Sequence, residues 1–230
     1  LVIKLNNDYT ASVTKSPKAT GNVFIPRQVI HDKKNYLITS LGKNAFYENN
    51  IDAITFPEDS EIITFEEGCL RRASVTKIQF PQKLKNLEKD WNSHTQNLAD
   101  IEISPKNKNF IFFQKQYLLG KSDERNDKFD ILHYARFDIK EAIIPPQVKI
   151  LKKNSFSNHN KLNLIIFPEN SEAKIIEEFV FNNTPIKELK LPSTLEEINH
   201  DNFKDVPNLT KVEVSQKNPL FSASGIFFCF

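Results

Sequence analysis

The sequence predicts a solenoid: right-handed stacked coils of about 23 residues, with one parallel β-sheet face and little α-helix. Three observations predict it. A strand-like phrase recurs at a nearly constant interval along the chain. A second phrase, carrying a large apolar residue, keeps step with the first. Phenylalanine is abundant, at 19 of 230 residues, and no single coil can bury such side chains alone.

The first phrase is apolar, two residues, apolar, one residue, apolar, then Pro or Ser. It reads Ile51, Ile54, Phe56, Pro57 and then Val75, Ile78, Phe80, Pro81. The copies Leu98, Ile101, Ile103, Ser104 and Ile139, Ala142, Ile144, Pro145 follow, then Leu162, Ile165, Phe167, Pro168. Ile186, Leu189, Leu191, Pro192 and Leu209, Val212, Val214, Ser215 close the series, and a looser first copy ends at Val23, Ile25, Pro26. The terminal positions are 31, 24, 23, 41, 23, 24 and 23 residues apart, so the period is broken only twice. Alternating apolar positions rich in Ile, Val and Phe make each phrase a strand, and proline at its end turns the chain out of the ladder.

The second phrase places a large residue five positions after an apolar one. It occurs as Leu41 and Phe46, Phe65 and Leu70, Leu151 and Phe156, Ile176 and Phe181, and Ile198 and Phe203; Leu87 and Trp91 are one residue closer. These residues are expected in a shared dry core, because phenylalanine has no polar group to satisfy. Segments such as Glu66–Leu70 and Glu177–Phe181 are too short for stable helices, so the side opposite the sheet is expected to be irregular, with single 3-10 turns at most.

The two long intervals locate insertions. Between Pro26 and Pro57 the excess falls at Ile30–Tyr36, where His31 to Asn35 read as a turn. Between Ser104 and Pro145, Phe110–Leu119 and Phe129–Phe137 flank the polar Gly120–Lys128, which predicts a β-hairpin thrown out of the coil over residues 105–137. Asn218 with Phe221, then Ile226, Phe227 and Phe228, repeats the pattern of Asn107 with Phe110, then Tyr117, Leu118 and Leu119. A second excursion is therefore expected to begin near the end, with the array continuing beyond 230. Residues 1–22 alternate as strands around Ser16, Pro17 and Lys18 and are expected to form a hairpin cap that starts the domain, with the repeats filling 23–230. The chain opens on Leu1 and has no methionine, which reads as a fragment or a processed form.

At these residues the chain resembles a known family. The Pro-ended strand phrase, Ser40-Leu41-Gly42 with Ala45-Phe46, and the excursion at Asn107 are similar to the BspA-like, or Treponema-type, leucine-rich repeats. Phrases such as Phe56-Pro57-Glu58-Asp59-Ser60 and Leu119-Gly120-Lys121-Ser122-Asp123 resemble the copies found in parasitic protists. The resemblance implies a leucine-rich-repeat solenoid acting as a non-catalytic surface antigen or adhesin, cell-surface or extracellular, binding a host or matrix protein. The family's frequent cysteine three positions after the Phe is replaced here by Asn49, Ala73, His159, Thr184 and Val206.

The residues themselves offer little chemistry. His31, His94, His133, His159 and His200 fall on different coils without metal-ligand spacing, and His159 and His200 read as loop residues. Five scattered glycines cannot build a phosphate loop, and Cys69 and Cys229 are too far apart in sequence to form a motif. The adjacent acids Glu66, Glu67 and Glu177, Glu178 are expected to be solvated. No catalytic group, cofactor or metal site is therefore expected. With 31 basic and 29 acidic residues there is no basic face for nucleic acid, and Lys106, Lys108 and Lys115 read as a solvated loop. No apolar run reaches the ~20 residues that span a bilayer. The sequons at Asn182 and Asn208 occur at the frequency expected by chance in an Asn-rich chain.

Aligning the strand phrases gives two outward rows. One is Phe24, Thr55, Gln79, Glu102, Ile143, Ile166, Lys190, Glu213; the other is Asn22, Ala53, Lys77, Asp100, Glu141, Leu164, Glu188, Lys211. Parallel in-register strands set Lys77 beside Asp100, Glu188 beside Lys211 and Lys190 beside Glu213. Ile143, Leu164 and Ile166 then form an apolar cluster on an otherwise polar face. They are the expected protein-binding residues unless the 105–137 hairpin folds over and buries them. An intracellular scaffold and a carbohydrate-binding surface protein are the alternative functions.

Overall fold

The computed structural model describes residues 1–221, which fall into two compact units, Leu1–Lys115 and Gln116 onward. Each is a stack of coils at the predicted period, and the predicted solenoid class holds for both.

The first unit opens on an antiparallel hairpin of β1 (Val2–Leu5) and β2 (Thr10–Thr14), with Val2 opposite Thr14. The Pro-ended phrases supply β3 (Gly21–Phe24) and, after β4 (Gln28–His31) and β5 (Lys34–Leu41), β6 (Ile51–Thr55). Beyond β7 (Thr64–Phe65) come β8 (Lys77–Phe80), β9 (Asn86–Leu87), β10 (Asp100–Ile103) and β11 (Phe110–Phe113). Strands β3, β6, β8 and β10 form a parallel sheet in which Val23, Ile54, Ile78 and Ile101 stand side by side, all buried. That register follows from the constant period: a slip by one residue would turn every inward side chain to water.

The structure adds a second ladder on the opposite side of the coils. Strands β5, β7 and β9 pair in parallel, and β2 joins β5, so the terminal hairpin extends this ladder. Each two-residue strand carries one apolar residue of the second phrase, Phe65 beside Leu41 of β5 and Leu87 beside Phe65. The chain then turns through paired left-handed residues, Asn44 with Glu48, Gly68 with Arg72 and Asp90 with His94, all at φ of 55–63°. These reversals aim alternate N–H groups along the stack. Phe46 donates to the Cys69 carbonyl at 2.8 Å, Glu48 to Arg71 at 3.0 Å and Leu70 to Trp91 at 2.7 Å. Irregular backbone thereby satisfies its polar groups as completely as a strand would. Inside, Phe65 lies 5.4 Å from Phe80, edge to face, and 5.9 Å from Trp91.

The second unit repeats the plan. Here β12 (Tyr117–Gly120) and β13 (Ile131–Ala135) are antiparallel, and β13 then ladders in parallel with β15 (Ile150–Leu151). β14 (Glu141–Ile143) precedes β15 in the chain and pairs with β16 (Leu164–Ile166). The second ladder runs on through β17 (Ile175–Ile176) to β19 (Glu197–Ile198), while β18 (Glu188–Leu191) pairs with β20 (Lys211–Val214). Among the described residues the only helix is a 3-10 turn at His200–Phe203 capped by Asn199.

The hairpin arms are not thrown out of the coil. Tyr117, Leu118, Leu119 and Leu132 are buried, and β13 is a rung of the second ladder. Three consecutive apolar residues leave no strand face fit for water, so both faces of β12 must be covered. The polar tip is tied at its base: the buried Asp130 carboxylate accepts from the Ser122 N–H at 2.9 Å and hydroxyl at 2.7 Å, with the Lys149 ammonium at 3.4 Å. Asn107 and Asn218 build matching turns. The amide of Asn107 donates to the Pro81 and Leu84 carbonyls, and that of Asn218 to Pro192 and Leu195. Ile226, Phe227 and Phe228 lie outside the described residues.

Candidate functional site

The outward rows of the Pro-phrase strands have the register expected from the sequence: Lys77 opposite Asp100, Glu188 opposite Lys211 and Lys190 opposite Glu213. In the first unit the Lys77 ammonium lies 3.6 Å from Asp100 and also against Glu102, whose carboxyl it holds below the ordinary range. In the second, Glu213 takes two cations, Lys190 at 3.3 Å and Lys211 at 2.5 Å. Lys211 therefore turns along its own strand rather than across to Glu188. Such exposed pairs fix side-chain positions more than they stabilise the fold.

Ile143 pairs with Ile166, and Glu141 with Leu164, between β14 and β16. Their inward neighbours Ala142 and Ile165 are buried, so strand alternation forces Ile143, Leu164 and Ile166 outward. They are 59%, 37% and 37% exposed, and the 117–135 hairpin does not cover them. An apolar patch on a charged sheet face can dock an apolar anchor of a protein while the flanking Glu141 and Glu188 discriminate by charge. The alternative of a stacking platform for sugars loses its single tryptophan, because Trp91 is 4% exposed within the Phe65–Phe80 cluster.

The sequence did not reveal the roles of several polar residues. Glu66 and Glu177, expected to be solvated, are half-buried and act across coils. The Glu66 carboxylate accepts from the Lys43 N–H at 3.0 Å and the Ser40 hydroxyl at 2.6 Å; Glu177 accepts from the Lys153 N–H at 2.9 Å. His159 lies in irregular chain as expected, yet it is wholly buried, stacked 4.3 Å from Phe137, with Nε2 3.0 Å from the Ala135 carbonyl and Nδ1 3.2 Å from that of Ser157. Burial lowers its pKa, so it is held neutral. The positions where the family often carries cysteine, Asn49, Ala73, His159, Thr184 and Val206, are all buried. The sequons differ: Asn208 is exposed, whereas the Thr184 hydroxyl is buried and donates to the Phe181 carbonyl at 2.6 Å.

Among the described residues no cluster of three or more His, Cys, Asp or Glu side chains could hold a metal ion. No helix among them is long and apolar enough to cross a membrane. The Cys69 thiol is buried and its pKa is driven well up by desolvation, which leaves it unreactive.

A family model described as the BspA type leucine-rich repeat region matches six copies over residues 29–117 and 131–228. No curated protein matches the sequence. The chain is similar to a solved leucine-rich repeat protein from Eubacterium ventriosum, at 15% identity and a TM-score of 0.51, over 91% of this chain and 68% of that one. It is also similar, at 14% identity and a TM-score of 0.48, to a leucine-rich cell surface protein from Faecalibacterium prausnitzii, over 93% and 92% of the two chains. The pneumococcal vaccine antigen PcpA is similar at 13% identity and a TM-score of 0.41, over 94% of this chain and 82% of that one. The first likeness bears on the fold alone, and the other two carry no further weight. With six matched copies spanning most of its length, and coils that repeat at their period, the chain belongs to the BspA-type leucine-rich-repeat family.

Proposed function

We propose that this chain is a non-catalytic protein-recognition module displayed on a cell surface, an antigen or adhesin that binds a host or matrix protein. The observation that carries the reading is the exposed Ile143, Leu164 and Ile166 cluster on β14 and β16. Covering the apolar patch would release water favourably, while Glu141 beside it on β14 and Glu188 on the next phrase strand orient the partner. Placement at the surface rests on the resemblance of the repeat phrases to surface antigens. The narrower likeness to protist copies rests on the Phe56–Ser60 and Leu119–Asp123 phrases.

Two experiments test it. Antibody against the chain should label intact, unpermeabilised source cells; labelling only after permeabilisation would leave an internal scaffold. Replacing Leu164 and Ile166 with Glu should then weaken binding to an immobilised panel of extracellular-matrix proteins by at least about tenfold, since both side chains sit at the patch centre. Thermal unfolding should stay within about 1 kcal/mol of the parent, because both positions face water. Unchanged binding by the double variant would remove this face from the function.

A further inference from the structure

The β1–β2 hairpin turns through Asn7, Asp8 and Tyr9, closed by the Asn6 N–H donating to the Thr10 carbonyl at 2.9 Å. The last residue of such a three-residue loop lies in the left-handed region, where glycine fits without strain. Here it is Tyr9, at φ 61° and 53% exposed. A bulky residue in that region is strained, and strain of this kind persists only where the surroundings fix it. They do so here. The Leu37 N–H donates to the Tyr9 carbonyl at 3.0 Å, and the Asp8 carboxylate accepts from the Thr10 N–H at 3.1 Å and hydroxyl at 2.6 Å. The turn therefore presents an aromatic ring to water at a fixed position.

A second ring adjoins it. Tyr36 of β5 lies 5.8 Å away, centroid to centroid, and the Lys34 ammonium stands 5.7 Å from the centre of the Tyr9 ring. Two adjoining rings with polar phenol groups suit the apolar C–H face of a sugar, and they supply a stacking surface that the buried Trp91 cannot. Charge selects the sugar. Acids and bases nearly balance over the whole chain, but residues 1–36 carry six Lys and Arg against two Asp, leaving 25 basic and 27 acidic residues for the rest. Of the two acids, Asp8 is engaged with Thr10, and Asp32 faces His31 at 3.4 Å. Among the described residues Lys4, Lys15, Lys18, Lys33 and Lys34 make no ion pair, unlike Lys43, Lys77 and Lys83 on later coils. An ammonium beside an exposed ring, with no carboxylate of its own, is placed to take an anion carried by the stacked sugar.

We propose that the Tyr9–Tyr36 surface binds an acidic polysaccharide, stacking one sugar ring and pairing its carboxylate with Lys34. The site lies wholly in the first unit and is independent of the Ile143, Leu164 and Ile166 face. The probe is a fluorescein-labelled hyaluronan hexasaccharide, in which uronic acid and neutral sugar alternate, titrated into the full chain at low salt with anisotropy as the readout. Saturable binding is expected with a Kd below about 1 mM. Tyr9→Gly should weaken it by at least about tenfold. Thermal unfolding of that variant should stay within about 3 °C of the parent, because relief of the left-handed strain offsets the lost ring contacts. Tyr9→Phe keeps the ring and should bind within about threefold of the parent. Lys34→Glu should cost at least about tenfold through charge, and uncharged chitohexaose should not compete. Absence of saturable binding up to about 1 mM would overturn the proposal. So would parental affinity in Tyr9→Gly or Lys34→Glu, equal competition by chitohexaose, or equal binding of a single-stranded DNA hexanucleotide.

Discussion

Asn49 holds the terminal hairpin to the coils through one side chain. Its buried amide donates to the Ser16 carbonyl at 2.8 Å and the Ala19 carbonyl at 2.9 Å, in the loop that leads from β2 to β3. Alanine there would strip two carbonyls of their donor and leave a small void. Asn49→Ala is expected to destabilise by about 1–3 kcal/mol, measured by urea unfolding, and to speed amide exchange across Val2–Thr14. Asn49→Cys should behave much the same, since a thiol is too weak a donor to serve two carbonyls. A cost confined below about 0.3 kcal/mol would mean that water replaces the amide. Asn49 was legible as the residue that takes the family's frequent cysteine position, three after Phe46. Its partners were not, because they sit about thirty residues earlier in the chain and are brought near only by packing. Asn107 and Asn218 were legible as a matching pair for the opposite reason: each stands three residues past a Ser-ended phrase, and each builds its turn locally.

The β4–β5 hairpin turns on Asp32 and Lys33, with His31 opposite Lys34 and both turn residues at positive φ, 48° and 60°. That is the geometry of a two-residue type I′ turn, in which the second position strongly favours glycine. Lys33 carries a Cβ into the left-handed region, which costs about 1 kcal/mol relative to glycine. Lys33→Gly is therefore expected to raise the melting temperature of the first unit by roughly 2–4 °C, read by the fluorescence of Trp91. No change, or a fall, would show that the greater freedom of glycine in the unfolded chain outweighs the relieved strain. At this scale the Pro-ended strands were readable because four or five residues carry a visible alternation. The two-residue strands β7, β9, β15, β17 and β19 have no period of their own; only the in-step apolar residue betrayed them, and their laddering did not follow from it. Over 105–137, two apolar arms around a polar tip announce a hairpin without saying what the arms cover, so the burial of Tyr117, Leu118, Leu119 and Leu132 did not follow from the sequence.

Each unit is a stack whose coils share one core, so a strained or charged group in one coil weakens its neighbours as well. Acid should therefore act on the second unit earlier than on the first. His159 is enclosed in the second unit, and burial lowers its pKa against the pull of the carbonyls of Ala135 and Ser157. His133, half-buried on β13, is pushed down to about 3 by desolvation and by Lys152. A histidine with a folded pKa below the unfolded 6.5 binds more protons when the chain unfolds. Its contribution is complete above pH 6.5 and is lost progressively as pH falls toward the folded value. In the first unit, desolvation and the nearby Arg72 and Arg71 lower His94 too, but that residue is exposed and solvent screens the effect. The carboxylates belong to a lower window: Glu61, held down by Lys83 and Arg27, keeps its contribution until pH falls below about 4.5, the ordinary value from which it departs. Urea titrations at pH 7.5 and 5.0 should then separate the units. Amide exchange on β13 and β15 is expected to show a lower urea midpoint at pH 5.0, while Trp91 fluorescence, which reports the first unit, stays nearly fixed. Parallel losses in both units would reject the histidines as the cause. An unchanged second unit would mean that protonated His159 is held by both carbonyls, each ring nitrogen donating, at no net cost to the fold.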